Sequence, residues 1–129
     1  MPINHFTGLH HVSLLVSDLS RSSDFYLRVL GLEQDISRPD MAFPGIWLNI
    51  GKQQIHLINL DYASSGATAE HPGRDAHFAI SVNDINKIEQ KLDREGVPYT
   101  LSKSGRKALF FRDPDGNAIE IIEQKADNG

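Results

Sequence analysis

Among 129 residues there is no cysteine, so thiolate nucleophiles, disulfides and zinc–thiolate sites are excluded, and chemistry falls to six histidines, the carboxylates, or a metal held by N and O atoms. Four residues stand out by type and spacing. His11 and His77 lie 66 positions apart, each near the start of an alternating run; His56 and Glu120 lie 64 apart, each inside another such run. Three imidazoles and one carboxylate suit a divalent ion, with nickel, zinc, iron and manganese all compatible. A lone inward His or Glu on a strand is more commonly a hydrogen-bonded pocket residue than a ligand. Four at matched positions would be costly to leave unpaired in a cleft, and one cation satisfies them all.

The elements that must position these groups repeat along the chain. The segments His11-Val12-Ser13-Leu14-Leu15-Val16-Ser17-Asp18 and His77-Phe78-Ala79-Ile80-Ser81-Val82-Asn83-Asp84 each read as a strand followed by a helix-capping Asp. Helices are predicted over Leu19–Leu30 and Ile85–Glu95, ending at Gly31 and Gly96. Strands follow over Leu32–Ser37, Gly45–Ile50 and Gln53–Leu60 in the first half, and over Pro98–Leu101, Lys107–Arg112 and Ala118–Glu123 in the second. A unit of about 50–60 residues with one helix covers only one face of a four-stranded sheet, so the two must pair. The fold class is therefore α+β: two βαβββ modules, about residues 7–60 and 74–124, in one domain with a linker over 61–73 and a frayed tail from Lys125.

Strand parity then sorts the side chains. His11, Ser13 and Leu15 share one face, and His10, Val12, Leu14 and Val16 the other, so His10 is expected on the helix side. By the same rule His77 is separated from Phe78 and Ile80, His56 from Ile55 and Leu57, and Glu120 from Ile119 and Ile121. All four candidate donors fall on helix-free faces. His5 and His71 are expected in a tail and a loop, and Asp113 and Asp115 as turn residues. Trp47, Phe43 and Phe111 are expected in core packing, with an apolar pocket as the alternative.

Thirteen Lys and Arg against seventeen Asp and Glu leave a net charge of −4, which offers no global attraction for nucleic acid or anionic membrane. No apolar run is long enough to span a bilayer, and the first residues have no basic segment followed by an apolar one, so a cytoplasmic protein is expected. Neither a Gly-rich phosphate loop nor a serine nucleophile elbow is present.

The strings around His11, Phe25-Tyr26, Val29-Leu30-Gly31-Leu32, His77-Phe78-Ala79-Ile80 and, most specifically, Phe110-Phe111-Arg112-Asp113-Pro114-Asp115-Gly116-Asn117 with Ile119-Glu120 resemble the vicinal oxygen chelate superfamily. The resemblance runs from about Thr7 to Gln124. It implies paired βαβββ modules forming an open, curved sheet around a metal, with ligands at His11, His56, His77 and Glu120. It departs from glyoxalase I at His56, where that enzyme usually carries Glu; a neutral ligand there raises the site's formal charge and favours anionic substrates.

The implied function is a glyoxalase I-like lyase or isomerase acting on a small carbonyl substrate, with Glu120 as the base that removes a proton α to the carbonyl. Three alternatives accompany it. One is an iron-dependent extradiol-type dioxygenase using His11, His77 and Glu120. Another is a fosfomycin-type thiol transferase or hydrolase whose anion would meet Arg38, Lys103, Arg106, Lys107 or Arg112. The third is a non-catalytic, bleomycin-resistance-like binding protein. The resemblance also implies a homodimer, with a site built either within one chain or from both.

Overall fold

The computed structural model describes residues 5–61 and 69–125. Alternation works as expected over His11–Val16 (β1): Leu14 and Val16 are buried while His11, Ser13 and Leu15 face outward. The chain continues through Leu19–Asp24 (α1), Glu33–Asp35 (β2), Gly45–Ile50 (β3) and Gln53–Asn59 (β4). The second half repeats this order as His77–Val82 (β5), Ile85–Arg94 (α2), Tyr99–Leu101 (β6), Ala108–Arg112 (β7) and Ala118–Glu123 (β8). Each half folds into its own mixed sheet, ordered β1-β4-β3-β2 and β5-β8-β7-β6. In each, the first strand runs parallel to the last, and hairpins supply the antiparallel neighbours. The result is the α+β fold of two open four-stranded sheets.

Both helices start where a capping Asp was predicted. The Asp18 side chain accepts from the Arg21 amide, and that of Asp84 from the Asn86 amide. Both ends also match: Gly31 and Gly96 adopt φ +76° and +68°, and the amide after each bonds back into its helix, Leu32 to the Tyr26 carbonyl across the widened turn and Val97 to the Leu92 carbonyl in a 6→1 bond. The first helix differs from expectation in its second part. From Phe25 to Val29 it widens into a π-helical turn, with the Leu30 amide bonding to the Phe25 carbonyl. This rotation lets Phe25, Tyr26, Val29 and Leu30 all enter the core, a set that an unbroken α-helix would spread over a wider arc.

The core lies between each helix and its sheet, and joins Val16, Leu48, Ile55 and Leu57 from one half with Leu92, Leu109, Phe111 and Ile119 from the other. Polar bonds reinforce the junction. Tyr26 donates its hydroxyl to Asp113 Oδ2 at 2.7 Å, while Asp115 Oδ1 accepts from the Ser17 amide and hydroxyl at 3.0 and 2.6 Å, and its Oδ2 from the Ser22 hydroxyl. The turn residues of the second half therefore hold the first helix of the first half. Arg28 spans the same junction to Glu95 at 2.7 Å.

Several expectations are corrected. His10 precedes β1 rather than extending it; it is exposed, not directed at the helix, because the ladder to β4 begins only at His11. β2 keeps three residues of the six predicted, since only Glu33–Asp35 find partners on β3. The end of the expected linker, with Arg74 beyond it, forms a 3-10 turn over Pro72–Arg74 capped by His71, whose Nδ1 accepts from the Gly73 amide. Residues 62–68 and the tail from residue 126 lie outside the described residues.

Candidate functional site

The ladders place the candidate donors in matched pairs. Ser13 is opposite His56 in the β1–β4 register, which makes His11 the diagonal neighbour of His56 on the open face. Ala79 is opposite Glu120 in the β5–β8 register, making His77 the diagonal neighbour of Glu120. The two arrangements are the same arrangement, once per half. The chain does not unite them: among the described residues no three of His, Cys, Asp or Glu lie close enough to share an ion. His11 lines a cleft of about 200 Å³ with Gln54, Phe78 and Ser81, whereas His77 lines a different one of about 240 Å³ with Val12, Arg112 and Asn117.

In the second half the pair is oriented for ligation. The His77 Nδ1–H donates to the Asp75 carbonyl at 2.9 Å, leaving Nε2 directed at Glu120 Oε1, 3.2 Å away. Two adjacent ligands of an octahedral ion with bonds near 2.1 Å stand about 3 Å apart, so this spacing fits shared coordination. Glu120 is 6% exposed, and its Oε2 lies 3.5 Å from the Arg106 guanidinium. The edge of Phe110 meets the His77 ring at a centroid distance of 5.6 Å and limits its rotation.

The first half holds its rings differently. His11 and His56 stack at 4.0 Å and 16°, and Trp47 stacks on the far side of His56 at 4.5 Å and 12°. Lone pairs in near-parallel planes do not aim at one point, so these rings suit an ion by type and not by their orientation. The Gln54 amide donates to Asp35 Oδ2 and Asn49 Oδ1, which fixes its carbonyl toward His56 Nε2 at 2.8 Å. His56 thus carries its proton on Nε2 and keeps Nδ1 bare. Burial first, then the neighbouring His11 and His10 rings and Arg38, hold its pKa below the ordinary imidazole value, which preserves the neutral form a ligand must have. His10 and His11 meet through their Nδ1 atoms at 2.9 Å.

Of the aromatic residues assigned to the core, only Phe111 lies there; Trp47 is on the open face, and Phe43 sits beneath the Arg38 guanidinium. Parity from Ile46 and Leu48, buried on β3, would have found Trp47, which the register sets directly opposite His56. Gln54 shares the parity of His56 and was legible the same way. Asp75 acts through its backbone carbonyl, for which no side-chain pattern speaks. Of the cations considered for an anion, Arg112 is bound to Asp75 and Gly116, and Lys107 to Glu123.

Comparison with known proteins agrees with the duplicated architecture. The family model of the Glyoxalase/Bleomycin resistance protein/Dioxygenase superfamily matches residues 8–121. Glyoxylase I 4 of Arabidopsis thaliana is 35% identical over 125 residues, covering 91% of this chain and 71% of its own. Lactoylglutathione lyase of Escherichia coli O157:H7 is 31% identical over 125 residues, covering 91% and 93%. Among solved structures, a glyoxalase family protein from Enterococcus faecalis superimposes with a TM-score of 0.72 at 25% identity, over 92% of this chain and 98% of that one. With both the match along the sequence and the paired sheets in place, the chain belongs to the Glyoxalase/Bleomycin resistance protein/Dioxygenase superfamily, the vicinal oxygen chelate proteins.

Proposed function

We propose that the chain acts as one domain of two modules in a divalent-metal-dependent, glyoxalase I-like lyase or isomerase, converting a small carbonyl substrate bound through adjacent oxygens. The observation that carries this reading is the identical diagonal placement of His11 with His56 and of His77 with Glu120. Relatives named for lactoylglutathione lyase chemistry support the reaction class. Because the pairs stand apart within one chain, a homodimer completes the set, with His11 and His56 from one copy and His77 and Glu120 from the other. Leu9 and Leu15, exposed beside His11, offer apolar surface for a second copy to cover.

When bound, the ion supplies Lewis-acid charge to the substrate carbonyl. Every other task falls to the chain. The Asp75 carbonyl fixes the tautomer of His77, and the Gln54 amide that of His56, so each offers a bare nitrogen. Glu120 accepts the proton α to the carbonyl and delivers it to the neighbouring carbon, while its burial keeps water from competing for that proton. The neutral His56 leaves the site more positive than two carboxylates would, which favours an anionic substrate.

Elemental analysis of the purified protein, combined with turnover of methylglyoxal plus a thiol by wild type and His77→Ala, tests the proposal. Wild type is expected to retain about one divalent ion per chain and to turn over; His77→Ala is expected to lose both, with activity down at least about 100-fold. Metal without turnover would reject the glyoxalase chemistry and keep the site.

A further inference from the structure

The register sets three residues in one row across adjacent strands: Arg112 of β7 is directly opposite Ala118 of β8, and Ala118 is directly opposite His77 of β5. Directly opposed residues share a sheet face, so all three lie on the face that carries Glu120. Ala118 is buried and ends at its methyl group, which leaves the space above β8 to the Arg112 side chain. The guanidinium crosses that strand and donates to Asp75 Oδ2, to the Ala69 carbonyl and, at 3.0 Å, to the Gly116 carbonyl. In the first half the corresponding row holds Asn49, Gln54 and His11, and there the middle position is filled by the Gln54 amide that fixes His56.

What the guanidinium holds is the residue from which His77 takes its hydrogen bond. The Asp75 carboxylate also accepts from the Ala69 amide at 2.9 and 3.1 Å, and the Asp75 amide donates to the Pro72 carbonyl at 3.1 Å. With side chain and amide both tied, the Asp75 carbonyl is held toward His77 Nδ1 at 2.9 Å. The Asp75 and Arg112 side chains are 8% and 22% exposed, so water competes little for their contact. We infer that Arg112 is a positioning residue: through the Asp75 carboxylate it keeps the Asp75 carbonyl on His77 Nδ1, and so sets the direction in which His77 Nε2 points. A planar fork that bridges three acceptors suits this task, whereas a point charge does not span them. The inference rests on the reading above that His77 belongs to the functional site, and it extends the support of that residue across β8 to β7 and to the turn at Gly116.

Exchange of the His77 Nδ1 proton with water tests this and requires neither turnover nor a bound ion. It is followed by NMR on the full chain and assigned by its absence from His77→Ala. The variants are Arg112→Gln, Arg112→Lys and Asp75→Asn, the last of which leaves the backbone carbonyl in place. Arg112→Gln and Asp75→Asn are each expected to speed the exchange at least about tenfold, their double variant no further, and Arg112→Lys to fall between because charge is kept and the fork lost. The β5 amides that pair with β8 are expected to keep their wild-type rates. Should Arg112→Gln fail to fold, Asp75→Asn carries the test alone. Unchanged exchange in either variant, or acceleration shared equally by the β5 amides, overturns the inference. A chain that protects the proton through Arg112 yet does not turn over methylglyoxal with a thiol rejects the proposed reaction and leaves the inference standing.

Discussion

Tyr26 directs its hydroxyl into the core, where Asp113 accepts it beside two backbone amides and the Asn117 side chain. Burial first, then the negative charge of Asp113, pushes the phenol well above its ordinary pKa. With the folded value raised, the contribution of this group is fully present below about pH 10 and is lost as pH rises beyond it, because the unfolded chain releases the proton first. Tyr26→Phe is expected to lower the unfolding free energy by about 1–2 kcal/mol at pH 7, measured in urea, and the gap from wild type should shrink above pH 10. A gap that widens with pH would contradict the assignment. At this scale the sequence was a good guide wherever parity applied: His11, His56, His77 and Glu120 fall on the open faces because strand alternation leaves no other choice. His10 was misread because parity was extended one residue beyond the ladder. Asp75 escaped because its reach depends on loop shape, which no periodicity encodes.

Elements were legible in kind and order, and their ends followed the capping residues closely where Asp18, Asp84, Gly31 and Gly96 mark them. The π-helical turn at Phe25–Val29 was not, since it answers to the packing of four apolar side chains on a sheet whose position only the tertiary fold supplies. The turn Asp113–Asn117 reads in the sequence as a simple loop, yet Asp115 holds the start of α1 and Asp113 the π-helical turn that follows it. Asp115→Ala removes the acceptor shared by the Ser17 amide, the Ser17 hydroxyl and the Ser22 hydroxyl. Ser22 is fully buried, so its hydroxyl has no water to turn to. The substitution is expected to cost about 1–3 kcal/mol and to speed hydrogen exchange at the first turn of α1 more than in α2. Equal acceleration in both helices would show that the turn acts on the whole fold rather than on this junction.

For the molecule as a whole, the sequence carried the duplication and the family, but it could not say that the donors meet as two separate pairs. Parity fixes a face and says nothing of the distance between two sheets. The proposed sharing of sites between copies has a direct test. His11→Ala and His77→Ala proteins, each inactive, are unfolded together and refolded as a mixture. If each site takes its pairs from two chains, half the dimers are mixed and each has one intact site, so about a quarter of wild-type activity returns. A site built within one chain returns none.

The two halves are also unequal in the loops that close their last hairpins. Gly51 and Lys52 suffice between Ile50 and Gln53, whereas five residues separate Arg112 from Ala118, and those five grip the helix of the other half. Shortening the longer loop to match its counterpart would leave both ladders whole and remove that grip. The bonds it makes are indifferent to which molecule supplies the helix, so this one hairpin loop fixes how a second half meets a first half, whichever chain each comes from.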